Sequence, residues 1–482
     1  MLDIKLIKYK VLQTYINNFK LHNKISTISY TIVNKVKIYG GSSLQGAVTI
    51  GGAKNSALPI LAASLLSDKK VSIGNVPDIA DTRIMLEILK GCGAKYIIKD
   101  KSVTESTRSR GRVITIDSSN INELCAPYEL VTKMRASILV LGPLLARFGK
   151  AKVALPGGCA IGPRPINIHL EALKQMGAEI ELDGDYLIAS APNGLKGNEI
   201  TFEKPSVGAT ENIAMAASIS SGTTVINNAA REPEVVDLLR FLCGMGAEIE
   251  GIGTSRLEIV GKPYLNGENY IHTVIGDRIE TATYAIAACL TSGKVELHGI
   301  EHKLMDDVWG SLSAAGVSMK VLDDHSIEVS ASLSGIRPID IITAPYPGFP
   351  TDVQAQIMAL LMHAKGTSTI TETIYTNRFM HVVELNKMGA CISIDGATAT
   401  IKGGSQIKSA DVTATDLRAS AALVLAALSA QDGESFVIND IHHLERGYDS
   451  MFHKLSKCGA KIELYHDDAF QNIEHIKASN VV

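Results

Sequence analysis

One pattern recurs six times along this chain: an amphipathic helical run ends in glycine, and an alternating strand follows. The copies are LEILKGCGAKYIIKD from Leu86, LEALKQMGAEIELDGDYLIAS from Leu170 and LLRFLCGMGAEIEGIGTSRLEIV from Leu238, then VWGSLSAAGVSMKVLDDHSIEV from Val308, VVELNKMGACISIDGATATIK from Val382 and MFHKLSKCGAKIELYHDD from Met451. Glycine stops each helix, and the alternation that follows is the period of a half-buried strand. The marker glycines are Gly93, Gly177, Gly246, Gly316, Gly389 and Gly459, spaced 84, 69, 70, 73 and 70 residues apart. A short strand precedes each helix, as in KKVSIGNVP, GTTVINNAA and SGKVELHGI. Six units of about 70 residues, each β-α-β-α-β-β, predict two similar halves of three units. The runs Thr281–Thr291 and Arg418–Ala430 are apolar nearly all round, so these helices belong inside with sheets packed outside them. The fold class expected is α/β, a two-domain inside-out barrel of six repeats.

The repeats account for most of the 482 residues. Residues 1–35 carry one acid, Asp3, no continuous apolar core of a signal peptide and no arginine. They read as an N-terminal extension, poorly ordered or a targeting or docking arm. The first spacing is about 14 longer than the others, and polar KDKSVTESTRSRGR, Lys99 to Arg112, reads as a surface loop insertion. Residues 468–482 form a tail without clear periodicity.

Composition excludes several classes. A net charge of -3 gives no global attraction to nucleic acid, and 5% aromatics make base-stacking platforms unexpected. No apolar run approaches the roughly 18 residues that span a bilayer. The seven cysteines include no C-x-x-C pair and suit a reducing compartment. No ligand spacing for a metal is present, and none is expected.

Four groups of residues stand out. PGGCAIGPRP, Pro156 to Pro165, is neither helix nor strand; glycines and prolines make it a plausible lid. Its Cys159 is either a tolerated thiol or a reactive one beside cationic Arg164. Cys92, Cys243, Cys289 and Cys458 read as small core residues, and Cys125 and Cys391 as structural. GGAKNSALP places Lys54 and Asn55 where a glycine turn opens a helix, an anion-favouring position or a plain helix start; its spacing is not that of a Walker loop. Arg135, Arg378, Arg418 and Arg446 sit in turn-like contexts, as surface arginines or a local anion cluster. Asp352 in YPGFPTDVQAQ and Asp416 in ATDLRAS lie at helix starts, as dipole partners or as general bases.

GGAKNSALPILAASLL, APYELVTKMRASILVLGPLLARFG, LPGGCAIGPRPINIHL, AAREPEVVDL, FPTDVQAQ, ITETIYTNRFMHVVELNKMGA, ATDLRASAALVLA and HLERGYD together resemble the family of UDP-N-acetylglucosamine enolpyruvyl transferases. The likeness runs from about Val36 to Leu464. It implies one globe built from 36–53 plus 273–467, a second from 54–272 carrying the Cys159 loop, and a chain that crosses near Gly52 and near His272. It implies transfer of the enolpyruvyl group of phosphoenolpyruvate to the 3-hydroxyl of UDP-N-acetylglucosamine, with loss of phosphate, as the first committed step of peptidoglycan synthesis in the bacterial cytoplasm. No cofactor is implied, and the partners are those two small molecules.

By the same resemblance, Lys54, Arg164 and Arg446 clamp phosphoenolpyruvate, Cys159 is the lid thiol that protonates the enol carbon or forms an adduct, and Asp352 is a base or orienter at the sugar hydroxyl. Asp416 is a further acid–base candidate. Asn55, Arg135, Lys204, Ser206, Val207, Gly208 and Ile374 contact the sugar nucleotide, and Arg378 and Arg418 are electrostatic supports. The alternatives are another acceptor, such as shikimate 3-phosphate, or a catalytically silent paralogue that binds a UDP-sugar.

Overall fold

The computed structural model describes residues 33–99, 111–155, 157, 166–375 and 377–466. The extension before Val33, most of the insertion after Lys99, Cys159, Arg164 and the tail after His466 lie outside the described residues. The extension ends earlier than the sequence suggests. Strand Val33–Tyr39 pairs antiparallel with Ser435–Asn439, Lys35 opposite Asn439, so residues 33–35 belong to the fold.

Among the described residues six sheets carry the architecture, five with four strands and one with three. Five of the six repeats close the same way across their sheets, and in the sixth Val33–Tyr39 takes the hairpin partner's place. The helix–glycine–strand unit gives an outer strand, its hairpin partner pairs back antiparallel, and a central strand follows. Cys391–Asp395, Thr398–Lys402 and Thr367–Thr371 show this order, with Ile341–Ile342 parallel at the edge. Lys95–Lys99 and Arg112–Asp117 pair likewise, Lys99 opposite Val113, so the insertion joins two hairpin strands. The three-stranded sheet has a single parallel bridge, Cys125 to Lys152, where the others hold an edge strand.

All six marker glycines take a left-handed φ, from +96° at Gly177 to +107° at Gly93. Each closes its helix with the same two bonds. Gly93 N–H donates to the Lys90 carbonyl at 2.9 Å and Ala94 N–H to Leu89 at 3.0 Å; Gly246 and Ala247 do the same with Cys243 and Leu242. A residue with a Cβ pays a steric cost at such a φ, which is why glycine recurs at this register.

Two edge strands are exchanged. Gln45–Thr49 precedes the first repeat but pairs parallel with distant Lys294–His298. Ile271–Thr273 pairs parallel with Val71–Val76. The crossing segments lie side by side in a bridge between Gly52 and Gly276. A Cβ on Gly52 would meet the Asn75 carbonyl oxygen at 1.8 Å, and one on Gly276 the Gly299 carbonyl oxygen at 2.1 Å, so both positions require glycine.

Helices fill the interior. Every residue of Arg278–Leu290 and Gln354–Leu361 is buried, as is Arg418 to Leu428 of the helix Leu417–Leu428, and these three pack on one another. A contiguous apolar core runs from Ala53 to Val274, with Lys54–Ala63, Leu141–Phe148 and Val207–Ala217 at its centre. Outer strands such as Lys95–Lys99 and Glu179–Asp183 are mostly exposed. No helix among the described residues is long and apolar enough to cross a membrane. Cys92, Cys289 and Cys458 are buried as expected, Cys125 and Cys243 are half-buried, and Cys391 is an exposed thiol on its outer strand, where nothing supports a packing role.

Candidate active site

The inside-out arrangement aims the starts of several helices at one cleft of about 420 Å³. Lys54 and Asn55 open the helix Lys54–Ala63, Ser206 caps Val207–Ala217, and Asp416 caps Leu417–Leu428. Asp81, Glu234 and Arg278 stand in the first turns of three more helices. Helix N-termini present N–H groups and partial positive charge, so their convergence favours an anionic ligand before any side chain is counted.

Three charged clusters line this cleft. In the first, buried Asp81 accepts from Lys54 Nζ at 2.7 Å and from Arg446 Nε and Nη2 at 3.0 and 3.4 Å. In the second, Asp352 accepts from Arg378 Nη2 at 2.7 Å and from Arg418 Nη2 at 3.0 Å, and Asn55 Nδ2 lies 3.4 Å from it. Burial alone would raise the Asp352 carboxyl, yet the Arg418 and Arg378 guanidiniums outweigh it and hold it well below the usual carboxylate range. The third is acidic. Arg278 forks onto Glu234 at 2.8 and 3.3 Å, beside Glu211 and Glu232. One oxygen of Glu211 and one of Glu232 are buried without a hydrogen-bond partner. Burial, then the charges of Glu234 and Glu232, pushes the Glu211 carboxyl well above its ordinary value.

Most expected residues reach this cleft: Lys54, Asn55, Arg135, Ser206, Val207, Gly208, Asp352, Ile374, Arg378, Asp416, Arg418 and Arg446 all line it. Lys204 does not; it is exposed and stands off the lining, two residues before the capping Ser206. Arg378 and Arg418 are nearly buried, and both are ion-paired with Asp352. Asp416 spends one carboxylate oxygen on the N–H groups of Arg418 and Ala419, at 2.9 and 3.1 Å, the geometry of a helix cap.

Sequence reasoning passed over Asp81, Glu211, Glu232, Glu234, Arg278, His169 and Glu372. A signal existed for some: Glu211 is a lone charge in the apolar run VGATENIAMAA, and Glu232 and Glu234 lie in the quoted AAREPEVVDL. Buried Glu372 shapes the wall, accepting from Ile374 N–H at 2.8 Å, Tyr375 N–H at 3.0 Å and the Thr343 and Thr351 hydroxyls at 2.9 and 2.8 Å. His169 is held neutral, its value lowered to about 3 by burial and then by Arg135, and its Nδ1 meets Asn212 at 3.2 Å.

A family-wide profile, that of EPSP synthase (3-phosphoshikimate 1-carboxyvinyltransferase), matches residues 38–455. The chain belongs to the EPSP synthase family. Within that family it is 50% identical over 435 residues to the UDP-N-acetylglucosamine 1-carboxyvinyltransferase of Paramagnetospirillum magneticum, covering 90% of this chain and 99% of that one. The protein of the same name from Azorhizobium caulinodans is 49% identical over 431 residues, covering 89% and 99%. Among solved structures, the enolpyruvyl transferase NikO from Streptomyces tendae superposes with a TM-score of 0.79 at 25% identity, over 90% of this chain and 99% of that one. The EPSP synthase of Acinetobacter baumannii superposes at 0.66 with 16% identity, over 90% and 100%, a likeness of fold alone.

Proposed function

We propose that this protein transfers the enolpyruvyl group of phosphoenolpyruvate to the 3-hydroxyl of UDP-N-acetylglucosamine and releases phosphate, the first committed step of peptidoglycan synthesis in the bacterial cytoplasm. The observation that carries this reading is the cleft itself. Helix starts and the cations Lys54, Arg446 and Arg135 converge on one space, as two anionic substrates require. Half identity to proteins named for UDP-N-acetylglucosamine favours that acceptor over shikimate 3-phosphate.

The chemistry is addition followed by elimination. The enol carbon C3 takes a proton while the sugar 3-hydroxyl oxygen bonds to C2 and gives up its own. A tetrahedral ketal results. Loss of a proton from C3, with breakage of the bond from C2 to the phosphate oxygen, restores the double bond and frees phosphate. Lys54, Arg446 and Arg164 clamp the phosphate and carboxylate of phosphoenolpyruvate and balance the charge on the phosphate as it leaves. Cys159 delivers the proton to C3.

Asp352 orients the acceptor hydroxyl together with Asn55, 3.4 Å away. A carboxylate held by two guanidiniums is a weak base, and this supports orientation over proton abstraction as its part in the resting enzyme. Ser206, Val207, Gly208 and Ile374 contact the sugar nucleotide.

A phosphate-release assay with both substrates tests the reading. Wild type releases phosphate with UDP-N-acetylglucosamine and not with shikimate 3-phosphate. Asp352→Asn lowers kcat by about 100-fold through lost orientation of the acceptor hydroxyl, and Cys159→Ala abolishes release. Full activity in both variants overturns the roles, and release with the shikimate acceptor alone overturns the substrate.

A further inference from the structure

Asp81 is 1% exposed and is the meeting point of two cations that come from opposite sides of the cleft. Lys54 starts the first helix of the core that runs from Ala53 to Val274. Arg446 ends the turn Ile441–Arg446, which follows strand Ser435–Asn439 in another sheet. Their separation in sequence from Asp81 is 27 residues on one side and 365 on the other. Lys54 Nζ lies 2.7 Å from Asp81 Oδ2, and Arg446 Nε donates to Oδ1 at 3.0 Å. A second bond reinforces the same approach: Asp78 N–H donates to Asp449 Oδ2 at 3.3 Å.

Two cations brought together repel, and the repulsion is strongest where water is scarce. A carboxylate between them removes that cost. Its own place is favourable, in the first turn of the helix Ala80–Gly91, where the dipole supports negative charge. Burial would raise the Asp81 carboxyl, but Lys54 and Arg446 overcome this and lower it, so it stands as an anion.

The geometry points to Asp81 as the positioning residue that ties Lys54 and Arg446 into one anion-binding unit across the cleft, set before phosphoenolpyruvate arrives. This rests on the functional reading above. Asp81 touches no substrate; it acts through the two cations. It also subtracts a charge, leaving the trio at a net of one positive, so positioning and charge predict opposite signs on its removal. If Asp81 merely neutralises, losing its charge tightens anion binding. If it positions, losing its charge loosens it.

Asp81→Asn keeps the shape and removes the charge, while Asp81→Glu keeps the charge and moves it by one methylene. Positioning predicts that Asp81→Asn raises KM for phosphoenolpyruvate by about ten-fold or more, with KM for UDP-N-acetylglucosamine within about two-fold. Asp81→Glu lies between wild type and Asp81→Asn. The rise in thermal midpoint on adding phosphoenolpyruvate shrinks in the same order, a readout that needs no turnover. Unchanged or lower KM for phosphoenolpyruvate in Asp81→Asn, or an undiminished thermal shift, overturns the proposal. Equal rises in both KM values, which a general loss of structure would give, overturn it too. If Asp81→Asn does not fold, Asp81→Glu decides alone: a wild-type KM and thermal shift overturn the proposal. Wild type that binds phosphoenolpyruvate without releasing phosphate instead fails the functional reading, and the thermal shifts then decide Asp81 separately.

Discussion

Glu211 is the residue whose environment most opposes its chemistry. It lies in a largely buried helix beside Glu232 and Glu234, and the buried cation there, Arg278, is ion-paired with Glu234. Its carboxyl is therefore held protonated in the folded chain while the unfolded chain ionises near the ordinary value of about 4.3. The native state then binds more protons than the unfolded state above that pH, so wild type loses stability as pH rises from there toward the raised folded value. Glu211→Gln, an isostere of the neutral acid, escapes this loss. Thermal melts across pH 4 to 8 are expected to show the variant matching wild type at the acid end and melting progressively higher toward pH 8. A constant gap, or a wild type that gains over the variant with pH, contradicts a protonated Glu211. Asp81 and Asp352 behave oppositely. Both are lowered, so their contribution is complete above the unfolded carboxyl value and is lost only in stronger acid.

At the scale of elements, the six helix-ending glycines share a backbone but not a neighbourhood. Gly246 has φ +103° with open space where a Cβ would stand, whereas Gly389, at the same φ, would place its Cβ 2.5 Å from the Gln406 carbonyl oxygen. Gly246→Ala thus carries dihedral strain alone, about 1–2 kcal/mol. Gly389→Ala adds a clash with backbone that no side-chain rotation relieves. Urea unfolding is expected to rank Gly389→Ala as clearly the less stable, and equal midpoints would show that the contact relaxes freely. These ends were legible in the sequence because the cause is local: a helical period, a glycine and an alternating strand within about 20 residues. Ser206 was named in the sequence only through the resemblance, although its cap on Val207–Ala217 is also a feature of a single turn. Lys204 shares that loop but is exposed and stands off the lining. The acceptors of Lys54 and Arg446 were not legible at all. No local pattern links Lys54 to Asp81, or Asp352 to Arg418 66 residues away.

The whole molecule is closed by two early strands whose partners its repeats alone do not announce. Gln45–Thr49 is edge strand to a unit about 250 residues later, and Val33–Tyr39 fills the last sheet between Ser435–Asn439 and Lys461–His466. Period and glycine spacing foretold six units, but a hairpin partner supplied from the opposite end of the chain leaves no mark in either. Val33–Tyr39 is an interior strand of its sheet, and its Val36 and Ile38 are fully buried. Removing it strips hydrogen-bond partners from both neighbours and opens the apolar face beneath. Two buried aliphatic side chains are worth about 1.5–3 kcal/mol each, before the ladder is counted. Two truncations isolate this effect, one removing residues 1–32 and one removing residues 1–39. The longer deletion is expected to melt well below the shorter one and to lose phosphate release, because Arg446 follows directly from strand Ser435–Asn439, which loses its partner. Adding back a synthetic peptide spanning residues 33–39 at high concentration should recover part of the midpoint by mass action. Equal melting of the two truncations would mean that the sixth sheet holds without its borrowed strand.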